Sequence, residues 1–221
     1  MHDSYVDSSS DPIFHGGGAI AGGQAGCNYQ IQHIVLGIEG EGWWSGLSNK
    51  STDNQTTTES NGIDTLTLTN NSFTQTQNRW DAVVALRGGY AVDRVLFYGK
   101  AGVVWGGFRF SEAFSQSAVL NGVSEGATNF SEEGSKTLTG MLLGFGVEWA
   151  FLDNWLFRAE ADYLNFPRTD VPFTSSQVCT VGSGSCGGAL TASSSGTFSQ
   201  FASKGLLKIG VSYKFGGFGG Y

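Results

Sequence analysis

Leu207-Lys208-Ile209-Gly210-Val211-Ser212-Tyr213-Lys214-Phe215 alternates without a break. Leu207, Ile209, Val211, Tyr213 and Phe215 point one way; Lys208, Gly210, Ser212 and Lys214 point the other. Period two over this length predicts a β-strand with two unlike faces. Six further segments repeat the pattern, and with this one they span 18–30, 33–46, 79–92, 95–109, 137–151, 155–166 and 203–215. In 137–151, Leu143, Phe145, Val147, Trp149 and Phe151 oppose Gly144, Gly146 and Glu148. In 155–166, Trp155, Phe157, Ala159, Ala161 and Tyr163 oppose Arg158, Glu160 and Asp162.

The connections add a second pattern. Short links at Ile31-Gln32, Val92-Asp93-Arg94 and Leu152-Asp153-Asn154 alternate with long Thr/Ser/Asn/Gly-rich stretches at 47–78, 110–136 and 167–202. Short turns at one end and long loops at the other are the arrangement of a transmembrane β-barrel. A strand of about ten residues also matches a tilted membrane crossing.

Cost decides which face meets lipid. The polar faces carry Glu39, Glu41, Asp81, Arg87, Lys100, Glu148, Arg158, Glu160, Asp162, Lys208 and Lys214. A charge on the lipid face at the midplane costs about 2–4 kcal/mol. These residues are therefore expected inside, pairing across a narrow lumen into an ion-pair network, since an unpaired buried charge is heavily penalised. Inward glycines leave room for the long charged side chains. Trp80, Trp105, Trp149, Trp155, Tyr29 and Tyr163 are expected in interfacial girdles.

Composition agrees. The chain has 221 residues, formal charge -7, 34 glycines, only 3 prolines and 13% aromatics. The sequence pI is about 4.8. No basic stripe exists, so no nucleic-acid partner is expected. No apolar run reaches the roughly 18 residues of a spanning helix; the nearest, 141–152, contains Glu148. No signal peptide is seen after Met1-His2-Asp3.

The ordered motifs Gly22-Gly23-Gln24-Ala25-Gly26-Cys27-Asn28-Tyr29-Gln30, Val35-Leu36-Gly37-Ile38-Glu39-Gly40-Glu41 and Leu86-Arg87-Gly88-Gly89-Tyr90-Ala91 resemble the second, third and fourth strands of a known family. It is the porin-family small outer-membrane barrels of the outer-membrane-protein-A-like and opacity-protein type. Gly144-Phe145-Gly146-Val147-Glu148-Trp149-Ala150, Asp153-Asn154-Trp155 and Arg158-Ala159-Glu160-Ala161-Asp162-Tyr163 resemble its sixth and seventh. The resemblance implies an all-β, up-and-down antiparallel transmembrane barrel of the eight-stranded type. Seven strands are recognisable, in a single domain over 1–221 of the bacterial outer membrane. Residues 1–17 resemble the tail of the family's first extracellular loop, and 216–221 form a Gly/aromatic tail. The expectation is that signal peptide and first strand are lacking, through truncation or a misplaced start.

Lys208, Gly210, Tyr213 and Phe215 resemble the closing-strand signal of such barrels. Outer-membrane lipid, the outer-membrane assembly machinery and periplasmic chaperones are the partners implied.

No catalytic constellation, metal site or cofactor is expected. The histidines are His2, His15 and His33, and none pairs with a nucleophile in a recognisable way. The carboxylates read better as structural ion pairs than as acid/base pairs. Gly-x-Gly repeats are strand positions, since no helix follows. Cys179 and Cys186, six residues apart in Gly/Ser-rich sequence, suit a loop disulfide better than a metal site. Cys27 is expected free on the lipid face. The Thr65-Leu66-Thr67-Leu68-Thr69 alternation is expected to extend a hairpin beyond the membrane.

The leading function is a structural barrel whose long loops make surface contacts, with a narrow passive pore as its variant. The alternatives are haem-type ligand capture and a soluble lipocalin-like binder with the opposite polarity.

Overall fold

The computed structural model describes residues 17–61, 63–181 and 190–215. The described residues contain only strands, turns and irregular links: β1 (Ile20–Ile31), β2 (Ile34–Ser45), β3 (Ser48–Ser60), β4 (Thr65–Val92), β5 (Val95–Leu120), β6 (Val123–Ala150), β7 (Trp155–Val181) and β8 (Leu190–Tyr213). All pairings are antiparallel, in the order β1-β2-β4-β5-β6-β7-β8, with β3 attached to β4 alone.

The stretches expected as long loops are largely strand. β4 to β8 run 24–28 residues, more than twice the roughly 9–11 residues of a membrane crossing. Their outer parts form long hairpins. Asn121 and Gly122, with φ of 53° and 82°, make the tight turn that joins β5 to β6. Asn-Gly suits it, because a two-residue hairpin turn needs left-handed backbone at both positions. At the β3–β4 tip, Asn61 Oδ1 accepts from the backbone N–H of Ile63 and Asp64 at 3.0 and 2.8 Å, an Asx-type turn. The Thr65–Thr69 alternation lies in this hairpin, paired with Thr56–Ser60.

The outward face near the short turns is apolar. Leu207 and Ile209 are 86% and 82% exposed, and Leu86, Met141, Leu143 and Phe145 are more than half exposed. Trp44, Trp80 and Trp105 mark one margin; Trp149, Trp155 and Tyr213 mark the other. From Trp80 to Tyr90 is ten residues along β4, about 25 Å of height at a 40° tilt, the thickness of a barrel's apolar band. This polarity is the reverse of a soluble binding barrel. Tyr163 faces outward but lies within β7, not at its end.

The inner face has two layers. Charged side chains fill the half nearest the short turns. Above them Val83, Val104, Leu138, Leu142, Leu164, Phe166 and Leu206 form an apolar core that continues through Phe108, Phe110 and Val171 beyond the membrane. Register breaks at Asn78/Trp80, Gly134/Met141 and Phe166/Thr169 re-aim side chains at the transition. The last includes Pro167, which has no N–H for the ladder.

Crossing strands alternate in direction, so β1 and β8, first and seventh in the order, run the same way. They are not hydrogen-bonded to each other along their backbones. Gln24 Nε2 donates to Ser212 Oγ across the seam at 2.9 Å.

Ile209→Arg should destabilise the folded protein by about 2–4 kcal/mol, whereas Thr56→Arg on the outer hairpin should change stability by less than about 0.5 kcal/mol. Reversible urea titration in lipid vesicles measures both; equal effects would contradict this assignment of faces.

Candidate functional site

Alternation delivers the charged cluster to one level of the lumen. Glu39 and Glu41 come from β2, Arg87 from β4, Tyr98 and Lys100 from β5, Glu148 from β6, Arg158, Glu160 and Asp162 from β7, and Lys208 from β8. Glu148 with Arg158, and Glu160 with Lys208, are direct register partners, the cross-strand placement that favours opposite charges. Arg87 and Lys100 are also register partners and would repel alone. They diverge instead to different carboxylates.

Lys100 Nζ is the hub. It donates to Glu41, lies 3.1 Å from Glu160 Oε1 and 3.3 Å from Asp162 Oδ2, and reaches Glu39 Oε1 at 3.6 Å. Arg158 holds Glu39 with two parallel bonds, Nη1 to Oε2 at 2.9 Å and Nη2 to Oε1 at 2.6 Å, and also donates to Glu160. Such fork-to-fork pairing is the strongest geometry available to arginine. Arg87 links Glu39 at 3.1 Å to Glu148 at 2.9 Å, and its guanidinium lies 3.9 Å from the Tyr98 ring centroid. The Tyr98 hydroxyl donates to Glu160 at 2.5 Å. Lys208 donates to Glu41 and lies 2.6 Å from Asp162 Oδ2.

Small residues make this packing possible. A Cβ at Gly144 would sit 2.0 Å from Asp162 Oδ1 and 3.0 Å from Lys100 Cε. A second polar island lies among the apolar layer. Lys204 Nζ donates to Asn78 Oδ1 at 2.7 Å and Asp81 Oδ2 at 2.6 Å, between the rings of Phe108 and Phe166.

Of the residues expected in the network, Glu39, Glu41, Arg87, Lys100, Glu148, Arg158, Glu160, Asp162 and Lys208 meet. Lys214 does not. It lies past the end of β8, exposed, with its backbone N–H bonded to the Asn154 carbonyl at 2.8 Å. The alternation of 207–215 gives it the inward parity of Lys208, but the strand stops at Tyr213, before that position is enclosed. Asp81 belongs to the Lys204 island. Sequence reasoning missed Lys204, Asn78 and Tyr98. Lys204 was findable, being an even-numbered β8 residue in phase with Lys208. Asn78 was not, because the extra residue Arg79 shifts its phase.

Of the closing-strand residues, Lys208 is in the cluster and Gly210 faces inward beside open space. Tyr213 stacks edge-on with Trp155 and Phe215, centroids 5.1 and 4.8 Å apart. Cys179 is disulfide-bonded; Cys186 lies outside the described residues, as do His2 and His15. Cys27 is an exposed free thiol. His33 lies at the β1–β2 turn, and its Nδ1 is 3.2 Å from the Ala91 carbonyl oxygen.

Glu39, Glu41 and Glu160 bring carboxylate oxygens within 4.8 Å of one another. Lys100 and Arg158 already occupy the space between them, so the arrangement is a lattice of ion pairs and not an acid/base pair facing a substrate cleft.

The sequence profile described as outer membrane protein beta-barrel domain matches residues 3–215. Curated relatives are the 31 kDa outer-membrane immunogenic proteins of Brucella melitensis biotype 1 and Brucella suis biovar 1. Each is 27% identical over 157 residues, covering 70% of this chain and 57% of the relative. The chain thus spans little over half the length of these relatives. Among solved structures, Acinetobacter baumannii CarO aligns over 94% of this chain and 100% of its own, with 12% identity and a TM-score of 0.37.

Arg158→Met leaves Glu39 without its fork and should cost about 3–5 kcal/mol. The paired change Glu39→Gln with Arg158→Met should cost less than the sum of the singles by about 0.5–3 kcal/mol. Urea titration of all three proteins in vesicles measures the coupling; strict additivity would show that the pair is not an energetic unit.

Proposed function

The chain belongs to the outer membrane protein β-barrel domain family, and from that premise we propose that it is a structural barrel with a sealed lumen that holds a rigid polar β-surface outside the cell. Its place is the bacterial outer membrane. The observation that carries this reading is the length of β4 to β8, which continue past the apolar band as paired hairpins. Their outward positions are rich in Thr, Ser, Asn and Gln, which suits a hydrated contact surface. The Brucella relatives are named as immunogenic proteins, in keeping with a display role.

Filling of the lumen supports the sealed state. An ion needs a continuous wet path, and the side chains of Val104, Leu138 and Leu164 are fully buried above the charged layer. A small barrel's interior is just wide enough for side chains to fill. Assembly in the membrane relies, in this reading, on the closing strand with Gly210, Tyr213 and Phe215 being recognised by the assembly machinery, after chaperoned passage through the periplasm.

An epitope inserted at the Asn121-Gly122 turn should be labelled by antibody on intact cells, and one at the Asp93-Arg94 turn only after the outer membrane is opened. The reverse pattern would overturn the orientation. Planar bilayers should show no stepwise conductance from the wild-type protein; steady ohmic steps would restore the pore reading.

A further inference from the structure

The lipid-facing surface of β6, β7 and β8 contains a groove. Two register rows, Leu143–Tyr163–Gly205 and Phe145–Ala161–Leu207, lie side by side on it. Ala161 and Gly205 are small, and the large neighbours around them border an open depression of about 440 Å³. A Cβ built on Gly205 would meet nothing within 4 Å, so the depression is open at Gly205. Leu143 and Phe145 lie on β6 between Thr139, the register partner of Trp105, and Trp149. The groove therefore sits between the two aromatic margins, in the hydrocarbon band.

Its outer end is polar and cationic. Beyond Tyr163 on β7 come exposed Asn165, whose register partner is Ser203, and then exposed Arg168, five residues and about 17 Å from Tyr163. Among the described residues Arg168 makes no ion pair, and its guanidinium rests 5.8 Å from the Phe201 ring centroid. The nearest carboxylate along the strand, Asp170, accepts from the Ser199 hydroxyl at 2.6 Å. A guanidinium matches the geometry of a phosphate better than any other side chain does.

We infer that this groove seats an acyl chain of a phosphorylated lipid of the outer leaflet, with the lipid's phosphate held at Arg168. The apolar groove supplies the site for the chain, and charge complementarity selects the headgroup. The site lies outside the lumen.

The test is native mass spectrometry of the full chain, extracted in mild detergent and exposed to bis-phosphorylated lipid A, to its dephosphorylated form, or to inorganic phosphate alone. The wild-type protein should retain one phosphorylated lipid, with about tenfold preference over the dephosphorylated form, equivalent to about 1.4 kcal/mol, and should not retain inorganic phosphate. Arg168→Gln should abolish the preference while keeping residual binding of both lipids. Gly205→Leu should fill the groove and weaken both lipids about tenfold. The heat-dependent gel shift of each variant should match wild type, which separates lost binding from lost folding; Arg168→Ala and Ala161→Leu serve as second variants if either fails that check. Equal lipid retention by wild type and Gly205→Leu, an undiminished phosphate preference in Arg168→Gln, or retention of inorganic phosphate alone would overturn the proposal.

Discussion

Charged side chains cannot remain in hydrocarbon without partners, and this single constraint organises the molecule. It forces the even-numbered faces of β5 to β8 inward and places Lys100 where it reaches Glu41 of β2 and both Glu160 and Asp162 of β7. Because the side-chain period is two, a one-residue slip of any strand would move its whole charged set into lipid. The lattice of Arg87, Lys100, Arg158 and Lys208 with their carboxylates therefore fixes register as well as filling space. Desolvation of these groups is costly, and only close, multiple pairing offsets it. The inward glycines belong to the same solution, since Gly144 leaves the room that Asp162 and Lys100 occupy.

The upper lumen solves a different problem. Beyond the charged level, inward positions turn apolar, and Leu138, Leu142, Leu164 and Phe166 pack as the core of a soluble β-structure would. This second core lets the strands leave the membrane without losing order, so the outer hairpins continue the sheet. Lys204, with Asn78 and Asp81, is a polar island in that layer, and its amine is satisfied by both neighbours. The seam between β1 and β8 is the weak line of the sheet, because strands that run in the same direction and lack a partner leave backbone groups unpaired where water is scarce.

Much of this was legible in the sequence, and the reasons are physical. The membrane-level strands announce themselves because lipid and lumen impose opposite polarity on adjacent residues, as in Leu207 to Tyr213. Nine of the ten network residues could be read from that parity alone; Lys214 could not, since parity does not say where a strand ends. The outer hairpins were hidden. With water on the outward face and small polar residues on both, Thr, Ser and Asn tracts look like loops, and the Asn-Gly pairs Asn61-Gly62 and Asn121-Gly122 are the short turn signals among them. The apolar core escaped notice because Leu138 and Leu142 fall on the face that carries Glu148 lower down, and phase breaks such as Arg79 and Pro167-Arg168 cannot be located from alternation. The lipid-face groove was illegible for another reason: it comes from small residues on neighbouring strands, and only register brings Ala161 and Gly205 together.

Lysine acylation by a water-soluble reagent, read residue by residue by mass spectrometry on the folded protein in detergent, tests the central claim most directly. The side chain of Lys100 is wholly buried, those of Lys204 and Lys208 are 5% and 14% exposed, and Lys50 lies exposed on β3. Fast labelling of Lys50 and Lys214, slow labelling of Lys208, and protection of Lys100 and Lys204 until the protein is unfolded is the predicted result. Labelling of Lys100 and Lys204 at the rate of Lys50 would mean that the lumen is open to water and the charges are not sealed within it, and the account would fail.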